Sequence, residues 1–233
     1  MNVLITGATK GIGRAITTIF AQNDAHIAVA ARNEADLMQL KQEIEGQFGT
    51  AKIYPFTADL GKKEEVLAFA KFVKSHFTKV DVLINNVGVF LPGDVLEGDE
   101  GSLEQLIEVN LYSAFHLSRA IVPDMIAQHK GHIFNMCSIA SLGPRANSGL
   151  YVISKYAMLG MSKSMREELK DKGIKVTSVL PGPTWSNAWE GSGFPKERLI
   201  PAEEVAQIIW NAYRLGPNAV IEEILIQPQF GDI

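Results

Sequence analysis

Tyr151 and Lys155, in Tyr151-Val152-Ile153-Ser154-Lys155, are the first residues whose types and spacing suggest chemistry. On a helix, an i, i+4 pair shares a face, so a phenol and an ammonium would stand side by side. A free phenol has a pKa of about 10 and is a poor acid or base near neutrality. A neighbouring cation favours the phenolate and lowers that value. Tyr151 then becomes a general acid for reducing a carbonyl, or a base for oxidising an alcohol. Ser138 lies upstream at the end of an apolar run, and its hydroxyl could hold the same carbonyl oxygen. Tyr-x-x-x-Lys also arises by chance in many helices, so the pair needs support from elsewhere in the chain.

That support begins at Thr6-Gly7-Ala8-Thr9-Lys10-Gly11-Ile12-Gly13, between the apolar run Val3-Leu4-Ile5 and a segment of helical period. A strand, a glycine-rich turn and a helix N-terminus let backbone N–H groups approach a pyrophosphate, which the helix dipole favours. Side chains at the glycine positions would block that approach. A carboxylate about 20 residues on would bind the ribose hydroxyls of NAD. The sequence there reads Ala30-Ala31-Arg32-Asn33. Arg32 offers a fork suited to a 2′-phosphate, and Lys10 could reach the same group. Two cations and no carboxylate favour NADP(H) over NAD(H).

The elements that must position these groups alternate. Short β-branched runs at 3–5, 27–31, 53–56, 80–84, 133–137, 176–180 and 220–226 are separated by segments of helical period. The stripe Ile12, Ala15, Ile16, Ile19, Phe20 is an example of such a segment. Longer helices are expected over about 103–128 and 151–172. The alternation calls for an α/β fold, a mainly parallel sheet with helices on both faces, in one domain over 1–233. With 233 residues, 46% hydrophobic and 21% charged, the composition is ordinary for a globular chain. Lys plus Arg is 22, Asp plus Glu is 26 and the net charge is −4, which disfavours a nucleic-acid partner. No apolar run is long enough to span a membrane, and no signal peptide is seen at the start. One cysteine, Cys137, excludes an internal disulfide, and the five histidines lack metal-site spacing. A cytoplasmic protein without a metal is expected.

Taken in chain order, these motifs resemble those of the short-chain dehydrogenase/reductase family. The glycine motif matches Thr6, Gly7, Gly11 and Gly13, and the acidic residue after strand three matches Asp59, followed by Leu60. Asn-Asn-Ala-Gly appears as Asn85-Asn86-Val87-Gly88, with Val87 in place of alanine. The catalytic Asn, Ser, Tyr and Lys match Asn110, Ser138, Tyr151 and Lys155, and the Pro-Gly after strand six matches Pro181-Gly182, followed by Pro183-Thr184. The resemblance implies a doubly wound Rossmann sheet of seven strands in the order 3-2-1-4-5-6-7. It implies adenine near Asp59 and Asn86, and nicotinamide near Ser138 and Tyr151, with Thr184 at its amide. Lys155 would also bind the ribose, and Asn110 would hold a water in a proton relay. The activity implied is NADPH-dependent reduction of a small-molecule carbonyl, as in the sepiapterin-reductase-like and carbonyl-reductase branches. A 3-oxoacyl-[acyl-carrier-protein] reductase is the alternative, and a silent NADP-binding regulator a further one. A homodimer or homotetramer through the two long helices is also implied.

After Thr184 the chain reads Trp185-Ser186-Asn187-Ala188-Trp189-Glu190-Gly191-Ser192-Gly193-Phe194-Pro195. In the family this region is a substrate lid. Trp185 and Trp189 either contact an apolar or planar substrate or anchor the lid to the body, and Gly191 and Gly193 could act as hinges. At the entrance Arg119 and Arg145 would suit an acyl-carrier partner, whereas Glu97, Asp99, Glu100 and Glu190 would not. Cys137 in its apolar run reads as a buried structural thiol.

Overall fold

In a computed structural model describing residues 1–186, 189 and 193–231, seven strands form one parallel sheet in the order β3-β2-β1-β4-β5-β6-β7. The strands are β1 (Asn2–Thr6), β2 (His26–Ala31), β3 (Lys52–Thr57), β4 (Val82–Asn85), β5 (Gly131–Met136), β6 (Ile174–Pro181) and β7 (Glu223–Ile226). The helices are α1 (Gly11–Ala21), α2 (Glu34–Gln47), α3 (Lys63–His76), α4 (Ser102–Ile107), α5 (Ser113–Ala127), α6 (Gly149–Leu169) and α7 (Ala202–Tyr213).

The apolar runs become strands because both sheet faces are covered. Successive residues point to opposite faces. Val3 and Ile5 of β1 therefore join the layer under α1, α2 and α7, while Leu4 joins the layer under α3 and α5. Strand β4 does the same with Val82 and Ile84 against Leu83. Buried two-sided strands need no polar alternation, which is why the sequence shows none. The stripes read from the sequence are the buried faces: Ile16 and Phe20 on α1, and Val66, Phe69, Ala70 and Val73 on α3.

Two elements depart from the sequence expectation by more than a shift of their ends. The helix expected over 103–128 is three pieces, α4, a π-helical turn at Glu108–Tyr112 and α5. Strand β7 covers only the last four residues of the run expected at 220–226. A polar row crosses the sheet beneath α5 and α6. Asn85 Nδ2 donates to Asn135 Oδ1 at 2.8 Å and to Ser118 Oγ at 3.1 Å, Asn135 Nδ2 donates to Ser162 Oγ at 3.0 Å, and Ser178 Oγ donates to Ser162 Oγ at 2.7 Å. The strand order reverses between β1 and β4, and in such sheets the crevice beyond the carboxyl ends of those strands is the ligand site.

Candidate active site

Strand β1 delivers Thr6 and the glycine turn to that crevice. Gly7 and Gly11 have φ of +67° and +51°, conformations that other residues adopt at a cost. Gly13 serves packing instead, since a Cβ there would lie 2.1 Å from the Gly7 carbonyl oxygen. Asn86, just beyond β4, fastens the turn by donating from Nδ2 to the carbonyls of Thr6 at 2.8 Å and Gly7 at 2.9 Å. The backbone N–H groups of Asn86 and Val87 donate to Thr6 Oγ1. These side chains build the floor of the crevice from within.

Helix α1 has no side-chain cap and no acidic residue in its first turn. Its first N–H groups are orphan donors with a favourable dipole for an anion. Arg32 is exposed at the end of β2, with no carboxylate within ion-pair distance among the described residues. Lys10, expected to reach the same phosphate as Arg32, is paired within the chain, its Nζ 3.2 Å from Asp36. That pair is solvent-exposed and worth at most ~1 kcal/mol, so a phosphate could compete for the ammonium. Asp59 Oδ1 accepts from the Gly61 N–H at 3.1 Å, and Leu60 is buried behind it. An extended dinucleotide fits this set: glycine turn, uncapped helix start, then Arg32.

Tyr151 and Lys155 lie on α6 as their spacing requires, with Lys155 Nζ 5.8 Å from the Tyr151 ring centroid. Lys155 is only 5% exposed, and its Nζ donates to the Met136 carbonyl at 3.0 Å. An ammonium has three donors, so two remain. Asn110, Gly88 and Lys155 converge: a Cβ on Gly88 would sit 3.2 Å from Asn110 Oδ1 and 3.4 Å from Lys155 Nζ. Asn110 stands in the π-helical turn, a departure often found at functional positions. Its amide is engaged, with Oδ1 accepting from the Val89 N–H and Nδ2 donating to the Val89 carbonyl and Ser154 Oγ. Only the second lone pair of Oδ1 is left for a water.

Ser138 caps a short 3₁₀ turn at Ile139–Ser141, its Oγ accepting from the Ala140 N–H at 3.1 Å. The Ser138 O–H proton is not needed for that bond. Ser141 Oγ donates to the Lys155 carbonyl at 2.8 Å and accepts from the Ser138 N–H at 3.2 Å, tying β5 to α6. Burial pushes the Cys137 thiol up to about 12, so it is not a thiolate near neutrality. Ser141 and Ser154 were not singled out from the sequence, because serines in polar surroundings carry no distinguishing pattern. Phe90 was also missed; its ring meets Tyr151 edge-on, 5.1 Å between centroids.

Beyond β6, Gly182 packs on Pro228 and Ile139, and Thr184 Oγ1 donates to the Gly182 carbonyl at 2.9 Å. Thr184 pairs in parallel with Ile200, whose carbonyl accepts from the Trp185 N–H at 2.8 Å. Lys196 Nζ lies 5.2 Å over the Trp185 ring, and Trp189 meets Phe194 edge-on at 5.7 Å. Trp189 therefore has a partner within the expected lid and Trp185 one just past its end, and Ser186 rests against Gly11. Gly193 has φ +81°, while Glu190 and Gly191 lie outside the described residues. Arg119, a candidate for the entrance, instead covers Phe115 of its own helix at 5.3 Å.

Comparison with known proteins agrees with this geometry. Residues 1–193 match the family described as short chain dehydrogenase. The sepiapterin reductase of Chlorobaculum tepidum is 30% identical over 239 residues, with 99% of this chain and 97% of that protein covered. The 3-oxoacyl-[acyl-carrier-protein] reductase of Thermotoga maritima is 31% identical over 216 residues, covering 88% of this chain and 87% of that one. The alcohol dehydrogenase of Thermococcus sibiricus, solved with 5-hydroxy-NADP, superposes with a TM-score of 0.91 at 25% identity, over 100% of this chain and 98% of that one. Motif order, sheet order and whole-length likeness coincide, and the chain belongs to the short-chain dehydrogenase/reductase family, an oxidoreductase by membership.

Proposed function

We propose that this protein is an NADPH-dependent reductase of a small-molecule carbonyl compound, with Tyr151 as the general acid. The observation that carries the reading is the buried Lys155 ammonium beside the Tyr151 ring, with Ser138 presented from the neighbouring strand end. When bound, reduced nicotinamide supplies the hydride that the carbonyl carbon takes up. Tyr151 gives its phenolic proton to the carbonyl oxygen, so C=O becomes CH–OH. The Lys155 ammonium stabilises the phenolate left behind, and its free donors would hold the cofactor ribose. Ser138 donates to the same oxygen and orients it. Proton return runs past Lys155, with Asn110 fixing Val89 and Ser154 beside it and holding a water.

On the cofactor side, Thr6, Gly7, Thr9, Gly11, Ile12 and Gly13 would surround the pyrophosphate, and Arg32 with Lys10 would meet the 2′-phosphate. Asp59 and Asn86 would flank the adenine, Leu60, Val87 and Gly88 would line the rest of the cofactor, and Pro181, Gly182 and Thr184 would meet the nicotinamide. The NADP derivative bound in the Thermococcus sibiricus enzyme supports the choice of NADP(H). A homo-oligomer is part of the reading, through the π-helical turn with α5 and through α6, where Tyr112, Phe115, Ile153 and Tyr156 are exposed. The Thermotoga maritima relative favours 3-oxoacyl-[acyl-carrier-protein] reduction as a second reading.

The test is NADPH oxidation by purified protein over a carbonyl panel, beside Tyr151→Phe. Loss of the acid should lower kcat by about 10²–10⁴-fold with NADPH affinity retained. NADPH binding without turnover of any carbonyl would favour a silent regulator.

A further inference from the structure

Exposed apolar side chains are unevenly placed on this molecule. Before β4, only Met38 and Leu67 are exposed among the large hydrophobic residues described. Phe90, Val95, Leu96, Leu142, Phe194 and Phe230 are exposed on the four segments leaving the carboxyl ends of β4, β5, β6 and β7. In a parallel sheet those ends face one way, and it is the end that carries Ser138 and Tyr151. Leu96 is 95% exposed and Phe90 57%.

Contacts tie these segments to the proposed acid. Phe90 meets Tyr151 edge-on. Val95 packs on Gly149, where a Cβ would lie 2.7 Å from Val95 Cγ2, two residues before Tyr151. Leu142 directly follows the turn that Ser138 caps. Apolar surface gathered around a polar catalytic cluster is the pattern of a small-molecule pocket.

Charge narrows the occupant. The segment 88–101 holds Asp94, Glu97, Asp99 and Glu100 and no Lys or Arg. Lys196, at the lid, covers Trp185, and Arg145 is engaged within the chain. A substrate bearing a carboxylate or phosphate, or delivered by an acidic carrier, meets repulsion on that side.

We propose that the substrate is an uncharged ketone or aldehyde whose carbonyl carries an apolar group of about aryl size, with Phe90 as the wall that receives it. This rests on the reductase reading above and names its substrate class. The probes are 2,3-butanedione, 1-phenyl-1,2-propanedione, phenylglyoxylate and an acetoacetyl thioester on acyl carrier protein. Burying a phenyl ring against Phe90 should raise kcat/KM for the phenyl dione about 10-fold or more over butanedione. Phenylglyoxylate, with the same ring and a carboxylate, should fall below the phenyl dione by a similar factor. Phe90→Ala should lose about tenfold more on the phenyl dione than on butanedione, with NADPH affinity reporting an intact fold.

Calorimetric binding of 1-phenylethanol and mandelate to the protein with NADPH, two reduced partners that cannot exchange a hydride, reads the same site without turnover. Tight phenylethanol and weak mandelate, with no ketone reduced, would support the substrate-side assignment and sink the reductase reading. Preference for phenylglyoxylate, mandelate or the carrier-protein thioester overturns the proposal. So does a Phe90→Ala loss that is equal on both diones, since Phe90 would then act on Tyr151 rather than on the substrate.

Discussion

Arg32 and Lys10 are both cations near the start of the cofactor crevice, yet the structure treats them differently. Lys10 faces Asp36, whereas Arg32 has no carboxylate partner among the described residues. Arg32 should therefore dominate the choice of phosphate. Arg32→Ala should weaken NADPH binding about 10-fold or more, the worth of a charge-assisted hydrogen bond, and leave NADH binding nearly unchanged; fluorescence titration with each cofactor checks this. A second expectation concerns Cys137, whose thiol burial pushes to about 12. It should react with a thiol reagent in native protein far more slowly than in urea, and Cys137→Ser should keep reductase activity. Rapid native labelling would show that its strand is less closed than described. At this scale the sequence was legible where spacing fixes geometry, as with Tyr151 and Lys155 four residues apart on α6. Phe90 was not legible, since an aromatic in a loop has many uses and only the fold brings it to Tyr151. The pairing of Lys10 was hidden for the same reason, Asp36 being an ordinary first-turn acid of α2.

The strand-turn-helix unit at the start of the chain depends on close packing that its glycines permit. A methyl group at Gly13 would lie 2.1 Å from the Gly7 oxygen and 2.5 Å from Asn86 Nδ2. Neither can yield without breaking the clamp that Asn86 makes across β1 and β4. Gly13→Ala should cost about 3 kcal/mol or more, read by urea unfolding without cofactor, and should weaken NADPH binding as well. An Ala variant of wild-type stability would mean that α1 can shift on the sheet. Strand and helix periods were plain because each element buries one or both faces. The π-helical turn carrying Asn110 was not, because an extra residue in a turn leaves the apolar stripe almost intact. Pro123 sits inside α5 without ending it, so composition alone would have broken the helix in the wrong place.

Across the whole molecule, the end of the sheet opposite the crevice holds a group that should shape stability against acid. His132 is buried in β5, and its Nε2 lies 2.8 Å from Thr177 Oγ1. The Thr177 hydroxyl donates its proton to the Ile221 carbonyl at 2.6 Å, so the imidazole must be the donor at Nε2. Charging the ring would place a proton on Nδ1, which is buried without a partner among the described residues. Burial lowers the His132 pKa to about 3. An unfolded chain takes up that proton near pH 6.5 while the folded chain refuses it, so stability present above pH 6.5 is lost as pH falls towards 3. Between pH 6.5 and 5.5 the loss from this residue should be about 1 kcal/mol, and His132→Gln should flatten it; equal slopes for both proteins in urea titrations would discount the residue.

The polar row from Asn85 through Asn135 to Ser178 has a different consequence, for how the chain finds its final alignment. Apolar parallel strands buried on both faces have little to stop them slipping by two residues, about 6.6 Å, since each side chain would return to the same face. Here Asn85 is aligned with Asn135, and Asn135 with Ser178. A slip would strand their amides and hydroxyls in an apolar layer at a cost of ~1–3 kcal/mol each. Ser138, two residues past the end of β5, would travel with the error and leave Tyr151 behind. The row thus acts as a proofreading key, admitting only the alignment in which Ser141 can reach the Lys155 carbonyl and hold the end of β5 against α6.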